Sequence, residues 1–235
     1  MKKIFSTLAI LVLSFAVQAQ INDEHAQVRS ASGYHGIHVS SAFNVYLSQS
    51  SEEAVAVSAA NVKDRDMITV EVKDGILYIG LSKALKWSNG NKKLRAYISF
   101  KQLDKLNISG ACDVFINGVL KSDVLRVEQS GASDLKGKMD VAKLYVDLSG
   151  ASDMTIEGTA TRLYVEASGA SDFKGFDLVV ESCEAKASGA SDIRITVNKE
   201  LSAEASGASD VKYRGSCTIR SEEHTSELQS QNAIS

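Results

Sequence analysis

Apolar and polar residues alternate along most of this chain in runs of about five, as in Leu144-Tyr145-Val146-Asp147-Leu148 and Ile193-Arg194-Ile195-Thr196. A period of two marks strands with one buried face. Further strands are expected at Gly36-Ile37-His38-Val39, Phe43-Asn44-Val45-Tyr46-Leu47, Ala54 to Ser58, Ile68 to Val72, Ile76 to Ile79 and Leu94 to Ile98. Asp74-Gly75 supplies a tight turn between two of them. The polar stretch from Lys83 to Lys93, which carries the only tryptophan, Trp87, reads as a loop. No segment has an apolar period of 3.6 residues, so helices are not expected to carry the fold.

A repeat lies over this alternation. Ser109-Gly110-Ala111-Cys112-Asp113 is followed by Ser-Gly-Ala-Ser-Asp beginning at Ser130, Ser149, Ser168, Ser188 and Ser206, at intervals of 21, 19, 19, 20 and 18 residues. Self-similarity at such a period denotes a solenoid. Three residues before each pentapeptide stands an apolar column: Leu106, Val127, Val146, Val165, Ala185 and Ala203. One residue after each Asp stands another: Val114, Leu135, Met154, Phe173, Ile193 and Val211. The expected fold is all-β, a parallel β-helix of about 19-residue rungs, with the pentapeptide as the corner between two short strands. Gly would take a positive φ there, Ala would point into the narrow corner, and Ser and Asp would bond to turn amides. Rungs about 4.8 Å apart make six corners a column about 24 Å long.

The two ends lie outside this pattern. Residues 1–19 read as a secretory signal: Lys2 and Lys3 begin it, Ile4 to Val17 is apolar, and cleavage is expected between Ala19 and Gln20. From Arg220 the chain reads like a translation of a DNA sequencing adapter, so residues 220–235 are set aside as a non-native tail. Between them, residues 20–105 form a β-rich part that caps the solenoid, and residues 106–219 form the repeats. No later segment reaches the roughly 18 consecutive apolar residues of a membrane helix. The expected location is therefore outside the cytoplasm: periplasmic, outer-membrane-associated or extracellular.

Composition supports this picture. At 44% apolar residues the chain can bury a core, and it contains no proline, a residue that would delete a rung-to-rung hydrogen bond. Lys and Arg number 26 against 29 Asp and Glu, a net charge of −3, and no basic run is interleaved with aromatics. Nucleic acid is excluded as an expected partner. Three cysteines, Cys112, Cys183 and Cys217, occupy three different rung positions, so no disulfide is expected.

Several of these motifs together resemble the family of exported bacterial proteins described as putative auto-transporter adhesin, head GIN domain. The resemblance rests on Ser32-Gly33-Tyr34-His35-Gly36-Ile37-His38-Val39, the following Phe43 to Leu47, the Val72-Lys73-Asp74-Gly75-Ile76-Leu77 turn and the iterated corners. It implies a right-handed parallel β-helix, export, and a surface or adhesive role without catalytic residues. Cys112 departs from the pattern, where Ser is expected.

Two columns carry candidate chemistry. Asp113, Asp134, Asp153, Asp172, Asp192 and Asp210 would stack at rung spacing, where neighbouring carboxylates repel by about 1 kcal/mol even in water. Turn amides would compensate them, or a ladder of hard cations would. Tyr145 and Tyr164, on adjacent rungs beside the column Asn107, Glu128, Asp147, Glu166, Lys186 and Glu204, could engage a glycan. His25, His35 and His38 cluster near the start of the chain, and no motif pairs a serine with a plausible His and Asp. The expectation is a noncatalytic, cofactor-free interaction module with a cell-envelope, glycan or protein partner. The alternatives are a dedicated envelope-polysaccharide binder and a carbohydrate-active β-helix enzyme.

Overall fold

The computed structural model describes residues 23–82, 93–221 and 228–230. The expected signal segment, Trp87 and most of the Lys83–Lys93 loop lie outside them. Short elements come first: β1 (Gln27–Arg29), β2 (Gly36–Val39), β3 (Asn44–Gln49), β4 (Ala54–Ser58), the single-turn α1 (Val62–Arg65), β5 (Ile68–Lys73), β6 (Ile76–Leu81), β7 (Arg95–Phe100) and β8 (Lys105–Ile108). Then come five long strands, β9 (Asp113–Gln129), β10 (Asp134–Leu148), β11 (Asp153–Ala167), β12 (Asp172–Ala187) and β13 (Asp192–Ala205). The short β14 (Asp210–Arg214), β15 (Thr218–Ser221) and β16 (Leu228–Ser230) finish the sheet.

The expected parallel β-solenoid is what forms. Each long strand is almost a full turn of chain, and β9 to β13 pair in parallel so that residues one repeat apart are neighbours: Asp134 lies beside Asp153, Leu144 beside Leu163 and Val146 beside Val165. The strands are longer than the runs of five predicted, because the hydrogen-bond ladder continues through two bends. One bend coincides with register shifts, as between Thr155 and Gly158. At the other, inward–outward alternation slips, and Ala142-Lys143, Thr161-Arg162 and Asn198-Lys199 present two exposed residues in succession.

Both predicted inner columns are buried, from Leu106 to Ala203 and from Val114 to Val211, as is the column Leu125, Leu144, Leu163, Cys183 and Leu201. Like residues stack on like, each fully desolvated aliphatic side chain contributing about 1.5–3 kcal/mol relative to exposure.

The start of the chain does not begin the stack. β2 lies between β6 and β8, and β3 between β7 and β9, so the first turn in sequence is the second along the axis. The β5–β6 hairpin closes with Asp74 and Gly75 both at positive φ, the geometry a two-residue hairpin turn demands. β1 and β4 add antiparallel strands beyond β7. Where the chain leaves the solenoid after β3, the Gln49 side chain replaces the missing backbone. Its Nε2 donates to the carbonyls of Lys101 and Lys121, and its Oε1 accepts from the Lys121 amide.

At the far end, β15 pairs with β13 and β16 with β14. Residues of the adapter-like tail thus extend the sheet. An open rung presents a row of unpaired amides and carbonyls, which an alternating segment of any origin can satisfy.

Candidate functional site

The corner was read correctly in its glycine and wrongly in its alanine. Every corner glycine from Gly110 to Gly207 has a positive φ, but the corner alanines face solvent, and the fourth residue points inward. Ser133, Ser152, Ser171, Ser191 and Ser209 are buried, each donating its hydroxyl to the carbonyl of the corner's first serine at 2.7–3.1 Å. The reason is polar accounting: a buried carbonyl needs a donor, and Ser supplies one where Ala cannot. Cys112 fills the same place, its Sγ 3.4 Å from the Ser109 carbonyl. A seventh corner went unread. Ser40-Ser41-Ala42-Phe43-Asn44 stacks beneath Ser109 to Asp113, with Ser41 at φ +94° in the glycine position. The signal was present in the shared Ser, Ala and Asn/Asp.

The six aspartates stand in register, as expected. Their compensation differs from the expected turn amides. Those amides bond the rung below, Asp172 N–H to Ser152 O and Ala170 N–H to Gly150 O for example. Five of the carboxylates, all but Asp113, instead meet cations two residues further along their own strand or on the next rung. Lys136 reaches Asp134, Lys174 bridges Asp153 and Asp172, Arg194 bridges Asp172 and Asp192, and Lys212 contacts Asp210 at 3.0 Å. The hydrogen bond that Lys174 donates to Asp153 pushes its ammonium pKa up despite the opposing effect of burial. Among the described residues, no group of three or more His, Cys, Asp or Glu is placed to hold a metal ion.

Tyr145 and Tyr164 do come together, stacked in nearly parallel planes with ring centroids 4.8 Å apart. Arg126, one rung earlier, lays its guanidinium 4.1 Å over the other face of Tyr145. The three form a slab along the solenoid axis. Facing it two residues on is the column Glu128, Asp147, Glu166 and Lys186, and the two walls enclose a groove of about 310 Å³. Lys105 pairs with Glu128 and Lys186 with Glu184. Among the described residues, no ion pair joins Asp147 or Glu166. Arg126 was visible in the sequence as a member of this column, but its stacking was not.

A second, longer groove of about 970 Å³ follows the bend where alternation slips. Its walls include Asp123, Asp140, Thr161 and Glu181, and at one end His35 Nδ1 meets the Asp104 carboxylate at 2.9 Å. Nε2 of His35 lies against Gly75, and the Ser122 hydroxyl in the same groove donates to the Val124 carbonyl. Burial pulls the His38 pKa down, and its ring leans on Tyr78. The three cysteines are free thiols, with Cys183 pushed upward first by burial.

A solenoid with these corners, from the Gly33 turn to Cys217, defines the class of protein. Residues 33–217 match the family described as putative auto-transporter adhesin, head GIN domain, and the chain belongs to it. A crystal structure of a putative adhesin from Bacteroides fragilis is 25% identical, with a TM-score of 0.78 over 88% of this chain and 93% of that one. Two Parabacteroides distasonis proteins share the fold. One, described as a putative adhesin, has a TM-score of 0.70 at 19% identity over 88% of this chain and 94% of that one. The other, described as a putative lipid binding protein, has a TM-score of 0.60 at 18% identity over 90% and 96%. No curated protein matches the chain. Among the described residues, no helix is long and apolar enough to cross a membrane.

Proposed function

We propose that this protein is an exported, noncatalytic interaction module, and that it engages its partner along the wall built by Arg126, Tyr145 and Tyr164. Membership of an adhesin family supports the role. The observation that carries the surface is the groove between this slab and the carboxylate column, where aromatic rings, hydroxyls and uncompensated charge converge on one face. In the aspartate ladder the outward charges largely satisfy one another, and a surface already paired has less to offer a partner.

A glycan of the cell envelope or of a host surface is the first ligand class against which this wall is tested, with one change from the sequence reading. Both faces of Tyr145 are covered, by Arg126 and Tyr164, so a sugar would stack only on the outer face of Tyr164 and otherwise bond to ring edges, hydroxyls and carboxylates. The test is a glycan array with the mature protein and with the Tyr145→Ala/Tyr164→Ala double variant. Signals lost in the variant support the surface. Signals unchanged, with the fold intact by circular dichroism, remove it.

A further inference from the structure

We propose that the wall recognises positive charge: its outer position, over the face of Tyr164 turned away from Tyr145, accepts a guanidinium or ammonium group carried by a basic polypeptide segment. This deepens the reading of the Arg126–Tyr145–Tyr164 wall as the binding surface and rests on it.

The chain itself demonstrates the chemistry. Arg126 sits 4.1 Å over Tyr145, showing that this slab takes a planar cation on its face in the direction of the axis. Tyr164, stacked on Tyr145 at 4° from parallel, ends the slab one rung further on. The next position in the column, beside Tyr164 in the ladder, is Glu184, which offers a carboxylate and not a third ring. Beyond the far face of Tyr164 stands the Glu184–Lys186 pair of the next rung, and Glu166 flanks the ring on its own rung. Arg126 and Lys186 are the cations lining this groove, against the four carboxylates of Glu128, Asp147, Glu166 and Glu184. Lys186 is drawn to Glu184 at 3.5 Å, leaving Asp147 and Glu166 on adjacent rungs of the facing wall without an ion pair among the described residues.

An aromatic face beside carboxylates is the arrangement that favours a cation twice over, through the ring quadrupole and through charge. A neutral sugar would stack on the ring and donate hydroxyls to the carboxylates, but it brings no charge to either. A guanidinium uses the ring and the Glu166 carboxylate, and a peptide laid along the groove can present a further such group to Asp147. Charge complementarity therefore selects a basic segment as the occupant.

The test uses the mature full chain at low salt with a fluorescent peptide of alternating arginine and alanine, and the same peptide with citrulline, the neutral isostere, at each arginine. The arginine peptide should bind and the citrulline peptide should not. Tyr164→Leu, which keeps apolar bulk but removes the ring, should weaken binding about 2- to 5-fold, while Tyr164→Phe retains it. Asp147→Asn with Glu166→Gln should weaken it further. Asp123→Asn with Glu181→Gln, in the other groove, should leave it unchanged. Equal binding of both peptides, equal loss in both acidic double variants, or indifference to Tyr164→Leu overturns the inference. A chitosan oligosaccharide forms a second arm: tighter binding there than to the peptide, with the same variant pattern, reassigns the cation to an amino sugar and overturns the polypeptide occupant. A glycan-array signal lost with the tyrosines but no cation dependence would leave the binding surface standing and remove only this inference.

Discussion

At the scale of single residues, the corner glycines are the most tightly determined positions in the molecule. Gly150 has φ +79°, and a Cβ added there would lie 2.5 Å from the carbonyl oxygen of Gly131 on the rung below. Backbone meets backbone at that point, so no side-chain rotation relieves the clash. Gly150→Ala should cost at least about 2 kcal/mol, combining left-handed backbone strain with the steric overlap, read as a lowered urea midpoint. Ser41 is the converse case, a residue with a Cβ holding φ +94° in the same column. Ser41→Gly should stabilise by a few tenths to about 1 kcal/mol, the strain relieved being partly offset by greater freedom of the unfolded chain. A midpoint that falls on Ser41→Gly would refute this account of the first corner. These pressures also explain what was legible. Glycine at a fixed interval announces a required φ, whereas the inward turn of the fourth residue was hidden, because Ser and Ala are both small and only the carbonyl it serves tells them apart.

At the scale of elements, the strands were legible because burial of one face imposes a period of two, and the boundaries drawn around Ala54 to Ser58 and around Asp74-Gly75 coincide with β4 and the β5–β6 hairpin. β1 was not, since Gln27–Arg29 buries little and its place is set by a distant partner, β4. The candidate site divides the same way. The column shared by Tyr145 and Tyr164 follows from spacing alone, but whether a carboxylate meets an amide, a metal or a lysine depends on side-chain reach across rungs, which spacing does not record. The tether beside β1 yields a pH prediction. Burial pushes the Asp23 carboxyl up, but the neighbouring Ser58 hydroxyl and hydrogen bonds from the His25 amide, Tyr97 and Arg95 outweigh it and hold the pKa below its ordinary value. A depressed folded pKa stabilises above the unfolded value of about 3.9 and loses that contribution as pH falls through the folded one. Asp23→Asn should therefore lower the melting temperature at pH 7 and flatten its decline below about pH 4. The partner Tyr97 is raised to about 12, first by burial and then by Asp23, so its contribution persists below about pH 10 and fades as pH climbs towards that value. Identical acid limbs for the variant and the parent would show that the tether is idle.

At the scale of the whole molecule, turns β9 to β13 are close to interchangeable units, each contacting its two neighbours. Removing residues 168–187 joins Ala167 to Ser188 and excises one repeat from corner to corner without altering the phase of either column. The shortened chain should fold with an unchanged far-UV spectrum and a modest loss of stability, and it should keep Tyr145 and Tyr164 stacked. Removing half as many residues from the same place should prevent folding, because every inward side chain beyond the cut would meet the wrong partner. If both deletions behave alike, the turns are not the units of this fold.

A rod made of repeated turns looks the same to a visitor at each step and offers no reason to stop at one step or to face one way. The Arg126–Tyr145–Tyr164 slab removes that ambiguity. With a guanidinium at one end and a ring followed by a carboxylate at the other, it gives the rod a head and a tail. A long polymer drawn along this face would find its sliding arrested at one place and its own direction fixed relative to the chain that holds it.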